Sequence, residues 1–209
     1  LASRQILCYC CHETGAFKKG NISLMDAIEA LITRKSSARL TEPAPNAEEV
    51  KIIMQAAGRA PDHGRLRPWR FLVVEGEARQ KLGGIFRDAL QKRDPEASDA
   101  ALEKESQKPL RAPMMIIVIA RVTDSPKVPP IEQYLSAGAA AENIMLAIHA
   151  LGYAGIWRTG APCFDAHVKA ALGARDEDMI VGFLYIGTAE RPPILPLEAA
   201  TECVEIWNG

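Results

Sequence analysis

Seven consecutive residues, Met114-Met115-Ile116-Ile117-Val118-Ile119-Ala120, constrain this chain more than any other stretch, because they are apolar without interruption. A strand with one wet face alternates apolar and polar side chains, so an unbroken run of strand length has both faces covered. Residues 180–187, Ile-Val-Gly-Phe-Leu-Tyr-Ile-Gly, read as a further central strand. The chain has 209 residues and 48% hydrophobic content, ample for one buried core and short for two full domains.

Around these strands the chain carries helix and turn signals. Ser23 and the Met25-Asp26 pair resemble a cap before apolar residues at Leu24, Ala27, Ile28, Leu31 and Ile32, which predicts a helix to about Thr33. The cations that follow, in Arg34-Lys35-Ser36-Ser37-Ala38-Arg39, fit two readings: a complement to the negative helix end, or a phosphate clamp. Asn46 with Glu49 predicts a capping box on a helix over 47–57, ending in a Pro- and Gly-rich loop that holds His63. A strand over 68–74 and an amphipathic helix over 78–92 come next. Residues 93–108 read as a solvated helix or excursion. Pro126, Pro129 and Pro130 break the chain ahead of a bland helix over 134–151. The segment 155–160, Gly-Ile-Trp-Arg-Thr-Gly, reads either as a Gly-bounded turn against a flat ligand or as a strand with an inward Trp157 and a surface Arg158. A helix over 163–172 and a strand-like run over 203–207 complete the pass.

The balance of 25 Lys and Arg against 26 Asp and Glu leaves no cationic excess for nucleic acid. The most hydrophobic helix is interrupted by Glu142, Asn143 and His149, so no membrane span is expected. Five cysteines form no disulfide framework and fit a reducing, cytoplasmic setting. The cluster of Cys8, Cys10, Cys11 and His12 lacks the second pair that closes a tetrahedral metal site, and no metal is expected. Residues 1–24 read as an N-terminal extension outside the fold and 25–209 as the folded domain. Dinucleotide-fold, P-loop and nucleophile-elbow signatures are absent. Cys163 and His167 stand four residues apart, a spacing that is more often incidental than catalytic.

Taken in order, Arg34-Lys35-Ser36, Ala60-Pro61, the run Pro68-Trp69-Arg70-Phe71-Leu72-Val73-Val74, Ala150-Leu151-Gly152, Gly155-Ile156-Trp157 and residues 181–187 resemble the nitroreductase family of FMN-dependent oxidoreductases. The similarity extends to the small bacterial NAD(P)H nitroreductases, in which Arg-Ala-Pro-Asp-His and Trp-Arg-Ser/Thr-Gly also occur. The resemblance implies an α+β fold, a three-layer sandwich with a central mixed sheet flanked by helices, assembled as an intertwined homodimer with FMN at each subunit interface. It further implies that Arg34, Lys35 and Ser36 hold the FMN phosphate and that Trp157, Arg158 and Thr159 line the cofactor, with Arg59 and His63 reaching it from the partner. Ala147, Ile148, His149, Ala150, Leu151 and Gly152 would receive NADH or NADPH. The strand near Val204 would cross to the partner's sheet.

The implied activity is hydride transfer from the nicotinamide to FMN and on to a nitroaromatic, quinone or similar small-molecule acceptor. The protein then supplies no catalytic nucleophile or metal of its own. The alternatives are an FMN-binding protein without turnover, and a flavin-dependent dehydrogenase or dehalogenase of one metabolite. Two departures stand out: Ala38 occupies a usually basic slot with Arg39 one position late, and Leu66 and Arg67 stand where the family often has amides.

Overall fold

The computed structural model describes residues 25–191 and 203–209. The apolar run predicted to be central forms β3 (Met114–Ala120), and all seven of its residues are buried. On one side β3 pairs with β2 (Trp69–Glu75), on the other with β5 (Met179–Ala189). The far edge of β5 carries β1 (Leu40–Thr41) and β4 (Ala154–Arg158). Every one of these ladders is antiparallel, so the mixed sheet expected from the resemblance is not what forms among the described residues. The isolated bridge between Ser36 and Gly155 is parallel. Helices that run out and back account for the difference: α3 (Ala78–Arg93) packs on α4 (Asp99–Ser106) between β2 and β3. Likewise α6 (Ala161–Phe164) and α7 (Ala166–Ala171) separate β4 from β5. A chain that re-enters a sheet at the end it left runs antiparallel, whereas one crossover helix makes parallel strands.

Strand alternation divides the core in two. Met115, Ile117 and Ile119 join Leu82, Phe86, Phe183 and Tyr185 on the α3 side, where Phe86 and Phe183 meet edge to face at 5.2 Å. Met114, Ile116 and Val118 join Ile53, Ile144, Leu184 and Ile186 on the side of α2 (Ala47–Ala57) and α5 (Pro130–Ala150). Both faces of β3 are thus apolar because each faces a helical layer, and burying each such isoleucine contributes about 1.5–3 kcal/mol. At Gly83 of α3 a side chain would run into the Ser106 carbonyl oxygen, so glycine lets α3 and the end of α4 touch.

Local signals set the helix ends. The Asn46–Glu49 capping box forms with both hydrogen bonds present. Helix α1 (Ala27–Thr33) is capped by Asp26, whose carboxylate accepts from the Ile28 and Glu29 amides; the expected cap, Ser23, lies outside the described residues, as do Cys8, Cys10, Cys11 and His12. Pro130 opens α5 instead of preceding it, since the first helical turn needs no N–H there. The predicted helix over 163–172 breaks because the Asp165 carboxylate accepts from the His167 and Val168 amides and restarts the chain as α7. Residues 204–207 form no strand, and Val204, Ile206 and Trp207 are exposed. No helix among the described residues is long and apolar enough to cross a membrane.

Candidate functional site

The Gly-bounded segment is strand β4, as the strand reading of residues 155–160 has it, and it lies on the outer side of β5. At its start, Ser37 N donates to Gly155 O at 3.0 Å, which fastens the segment after α1 to the strand. That contact also fixes which β4 residues point their backbone outward. Gly155 and Trp157 share parity, so the Trp157 N–H and C=O face away from β5 onto the open edge.

Two cavities flank β4. The first, of about 390 Å³, is lined by Thr33, Arg34, Lys35, Ser37, His149 and Gly152 among others. Arg34 caps α1, and its Nε lies 3.3 Å from Glu142 Oε1 of α5. His149 Nε2 lies 2.9 Å from Thr33 Oγ1. Burial lowers the basicity of His149, and Arg34 and then Lys35 lower it further, against an opposing pull from Glu29. Arg34 and Lys35 of the expected clamp therefore meet Ile148, His149 and Gly152 of the expected nicotinamide segment in one cleft. Ser36 is exposed and is not among the lining residues, where Ser37 takes the place beside the cations. Ala147 and Leu151 pack against the α5-side core.

The second cavity, of about 430 Å³, is lined by Trp157, Arg158, Thr159, Lys108, Arg111 and Tyr185 with neighbouring apolar residues. Strand alternation separates the adjacent aromatic and cation. Ile156 packs on the α3 side, where Arg158 follows by parity, while Trp157 packs on the α5 side with its Nε1 donating to Val181 O at 3.2 Å. The indole covers Gly182, where a Cβ would meet Trp157 Cδ1 at 2.6 Å. Burial pushes the Tyr185 phenol up to about 12, although Arg111 and Arg158 pull the other way. Lys108 pairs with Glu105 at 2.5 Å.

Arg59 and His63 lie at the opposite end of α2, both exposed. His63 Nδ1 meets Glu132 Oε2 of α5 at 2.6 Å. Ser136 Oγ donates to Pro61 O and Asn143 Nδ2 to Ala56 O, which fixes this loop along α5. Leu66 and Arg67, which stand where the family often has amides, give their backbone N–H groups to the Asp62 carboxylate at 3.1 and 2.7 Å. Arg65 and Arg67 take positive φ of 54° and 48°, a strained backbone that Asp62 holds in place. Arg39 pairs with Glu190 in solvent. Cys163 and His167 fall on separate helices; Cys163 is buried with its thiol pushed up to about 12 by that burial, and His167 Nδ1 lies against Lys92 Nζ.

Glu142, Glu132, Lys108, Arg111 and Tyr185 did not emerge from the sequence as site residues. For Glu142 a signal existed: it and His149 interrupt an apolar helix seven residues apart, two turns on one face. For Glu132 the partner, His63, lies 69 positions away; the Lys108–Glu105 pair is local, but nothing in its spacing marks a site, and no local pattern marks Arg111 or Tyr185.

The model of the nitroreductase family matches residues 31–188. A relative named "Putative NAD(P)H nitroreductase YdjA" from Escherichia coli K12 is 43% identical over 166 residues, covering 79% of this chain and 90% of the relative. Among solved structures, a nitroreductase-like family protein from Bacillus cereus superposes with a TM-score of 0.75 at 23% identity, over 88% of this chain and 97% of that one. A nitroreductase with bound FMN from Bacteroides fragilis superposes with a TM-score of 0.66 at 21% identity, over 88% and 100% of the two chains.

Proposed function

Because the chain belongs to the nitroreductase family, we propose that it is an NAD(P)H-dependent FMN oxidoreductase that passes electrons to a nitroaromatic, quinone or similar conjugated acceptor. We further propose that it acts in the cytoplasm as a homodimer with FMN at the subunit interface. One observation carries this reading: Arg34 and Lys35 stand at the start of β4, and Trp157, Arg158 and Thr159 at its end. At about 3.3 Å per residue, Gly155 to Arg158 spans roughly 10 Å, comparable to an extended ribityl phosphate.

When bound, FMN supplies the redox chemistry, accepting hydride from NAD(P)H and returning electrons to the acceptor. The chain's own residues bind and orient. Arg34 and Lys35 neutralise the phosphate, which the carbonyl end of α1 would otherwise repel. The outward Trp157 amide offers a hydrogen bond to the edge of a flat ring, and Arg158 and Thr159 follow it at the end of the strand. Ser36 supports the clamp through its bridge to Gly155. The partner subunit's Arg59 and the partner subunit's His63 would complete the site. In support of the dimer, α1 exposes Ile28, Leu31 and Ile32, and the first turns of α5 expose Ile131 and Leu135, apolar side chains that call for cover.

The test is a pair of titrations. Hydrogen bonds to charged groups contribute about 1.5–3 kcal/mol, so Arg34→Ala should weaken FMN about ten- to a hundredfold and leave riboflavin, which lacks the phosphate, nearly unchanged. Equal losses for both ligands would remove the phosphate assignment.

A further inference from the structure

The single hydroxyl proton of Thr33 decides which way its contact with His149 runs. Thr33 Oγ1 lies 2.5 Å from the Glu29 carbonyl oxygen, which has no proton to give, so the single hydroxyl proton sits in that contact. Toward His149, Thr33 can therefore only accept, and the Nε2 atom at 2.9 Å must be the donor. In a neutral imidazole the other nitrogen, Nδ1, is then bare. It belongs to a side chain that lines the cleft with Arg34 and Lys35 and has no further hydrogen-bond partner among the described residues.

We propose that His149 is the third member of the phosphate site, and that a phosphate dianion entering beside Arg34 and Lys35 draws one proton from solvent onto its Nδ1. The proposal rests on the FMN reading above, and it assigns His149 to the flavin phosphate where the resemblance pointed to the nicotinamide nucleotide. The charged and titratable neighbours are few. Helix α1 contributes Glu29, the segment after it Arg34 and Lys35, and α5 itself Glu142, already paired with Arg34. Beyond the helix end, the Tyr153 hydroxyl donates to Glu49 of α2. Without ligand, burial and the two cations disfavour the charged imidazole, against the pull of Glu29. A dianion cancels both cations and adds an acceptor, which reverses the balance. The proton-binding affinity of His149 is then higher in the complex than in the free protein, so FMN binding strengthens as pH falls through that interval and riboflavin binding does not.

Calorimetric titration of FMN and riboflavin into the flavin-free full chain at pH 7, repeated in buffers of different ionisation enthalpy, counts the protons taken up. The second ionisation of a phosphate monoester lies near 6, so between pH 7 and 8 the ligand itself contributes little. Expected are net proton uptake with FMN and none with riboflavin, and FMN affinity falling between pH 7 and 8 by up to about tenfold, the limit for one linked proton. His149→Gln should abolish uptake and flatten the pH dependence, while Thr33→Ser, which keeps the hydroxyl, should preserve both. FMN binding without proton uptake, or with equal uptake in His149→Gln, overturns this inference and leaves the FMN reading standing. Failure to bind FMN at all removes both.

Discussion

Gly182→Ala isolates the contact that holds Trp157 in place. The new methyl would run into the indole Nε1 and stand 2.6 Å from Cδ1, where ordinary contact needs 3.4–4 Å. The half-buried ring must move outward, and its 3.2 Å hydrogen bond to Val181 O breaks with the movement. Overpacking of this kind costs about 1–3 kcal/mol, and the lost bond about 1 kcal/mol more. The sum, roughly 2–4 kcal/mol, corresponds to about 4–16 °C in melting temperature for a chain of this size. Urea unfolding of wild type, Gly182→Ala, Trp157→Ala and the double variant gives the coupling between the two positions. With the indole gone, adding the methyl should cost less than about 0.5 kcal/mol, inside the error of additivity. Equal costs in both backgrounds would refute the argument, because the penalty would then come from the β5 backbone and not from the ring.

Adjacent glycines of α3 make opposite forecasts. Gly84→Ala meets nothing within 4 Å and should stabilise by about 0.5–1 kcal/mol, whereas Gly83→Ala meets the immobile Ser106 carbonyl and should destabilise by at least about 1–3 kcal/mol, both read by urea unfolding. Among the described cysteines, iodoacetamide at pH 8 should label exposed Cys203 and spare Cys163, whose buried thiol is pushed up to about 12; peptide mapping showing equal labelling would contradict that burial.

Most of the fold was legible because its signals are local. The Asn46–Glu49 box and the β3 run need no knowledge of distant residues, and both formed as predicted. Errors arose where a tertiary contact decided. The charge of residues 93–108 predicts a solvated helix or excursion; a helix does form there as α4, but it buries Leu102 and Glu105 against α3 and the turn that follows. The Gly155–Gly160 stretch was open between turn and strand until β5 supplied a partner. Period-two alternation sends Trp157 and Arg158 to opposite faces of the sheet, as the strand reading has it, whereas the turn reading takes them as one pair. The meeting of Thr33 with His149 joins residues 116 positions apart, a distance no local pattern spans.

Helix α1 has seven residues and buries only Ala30, while Ile28, Leu31 and Ile32 face outward. Fewer than two turns of helix are marginal in water without packing. Yet Arg34 is the cap of this helix, and Thr33 its last residue, so the proposed anion site is anchored on a short helix that buries a single residue. In the proposed homodimer, whatever covers the three apolar side chains also steadies the guanidinium. Cofactor retention and subunit association then become one linked equilibrium: dilution loosens the flavin, and saturating flavin holds the subunits together.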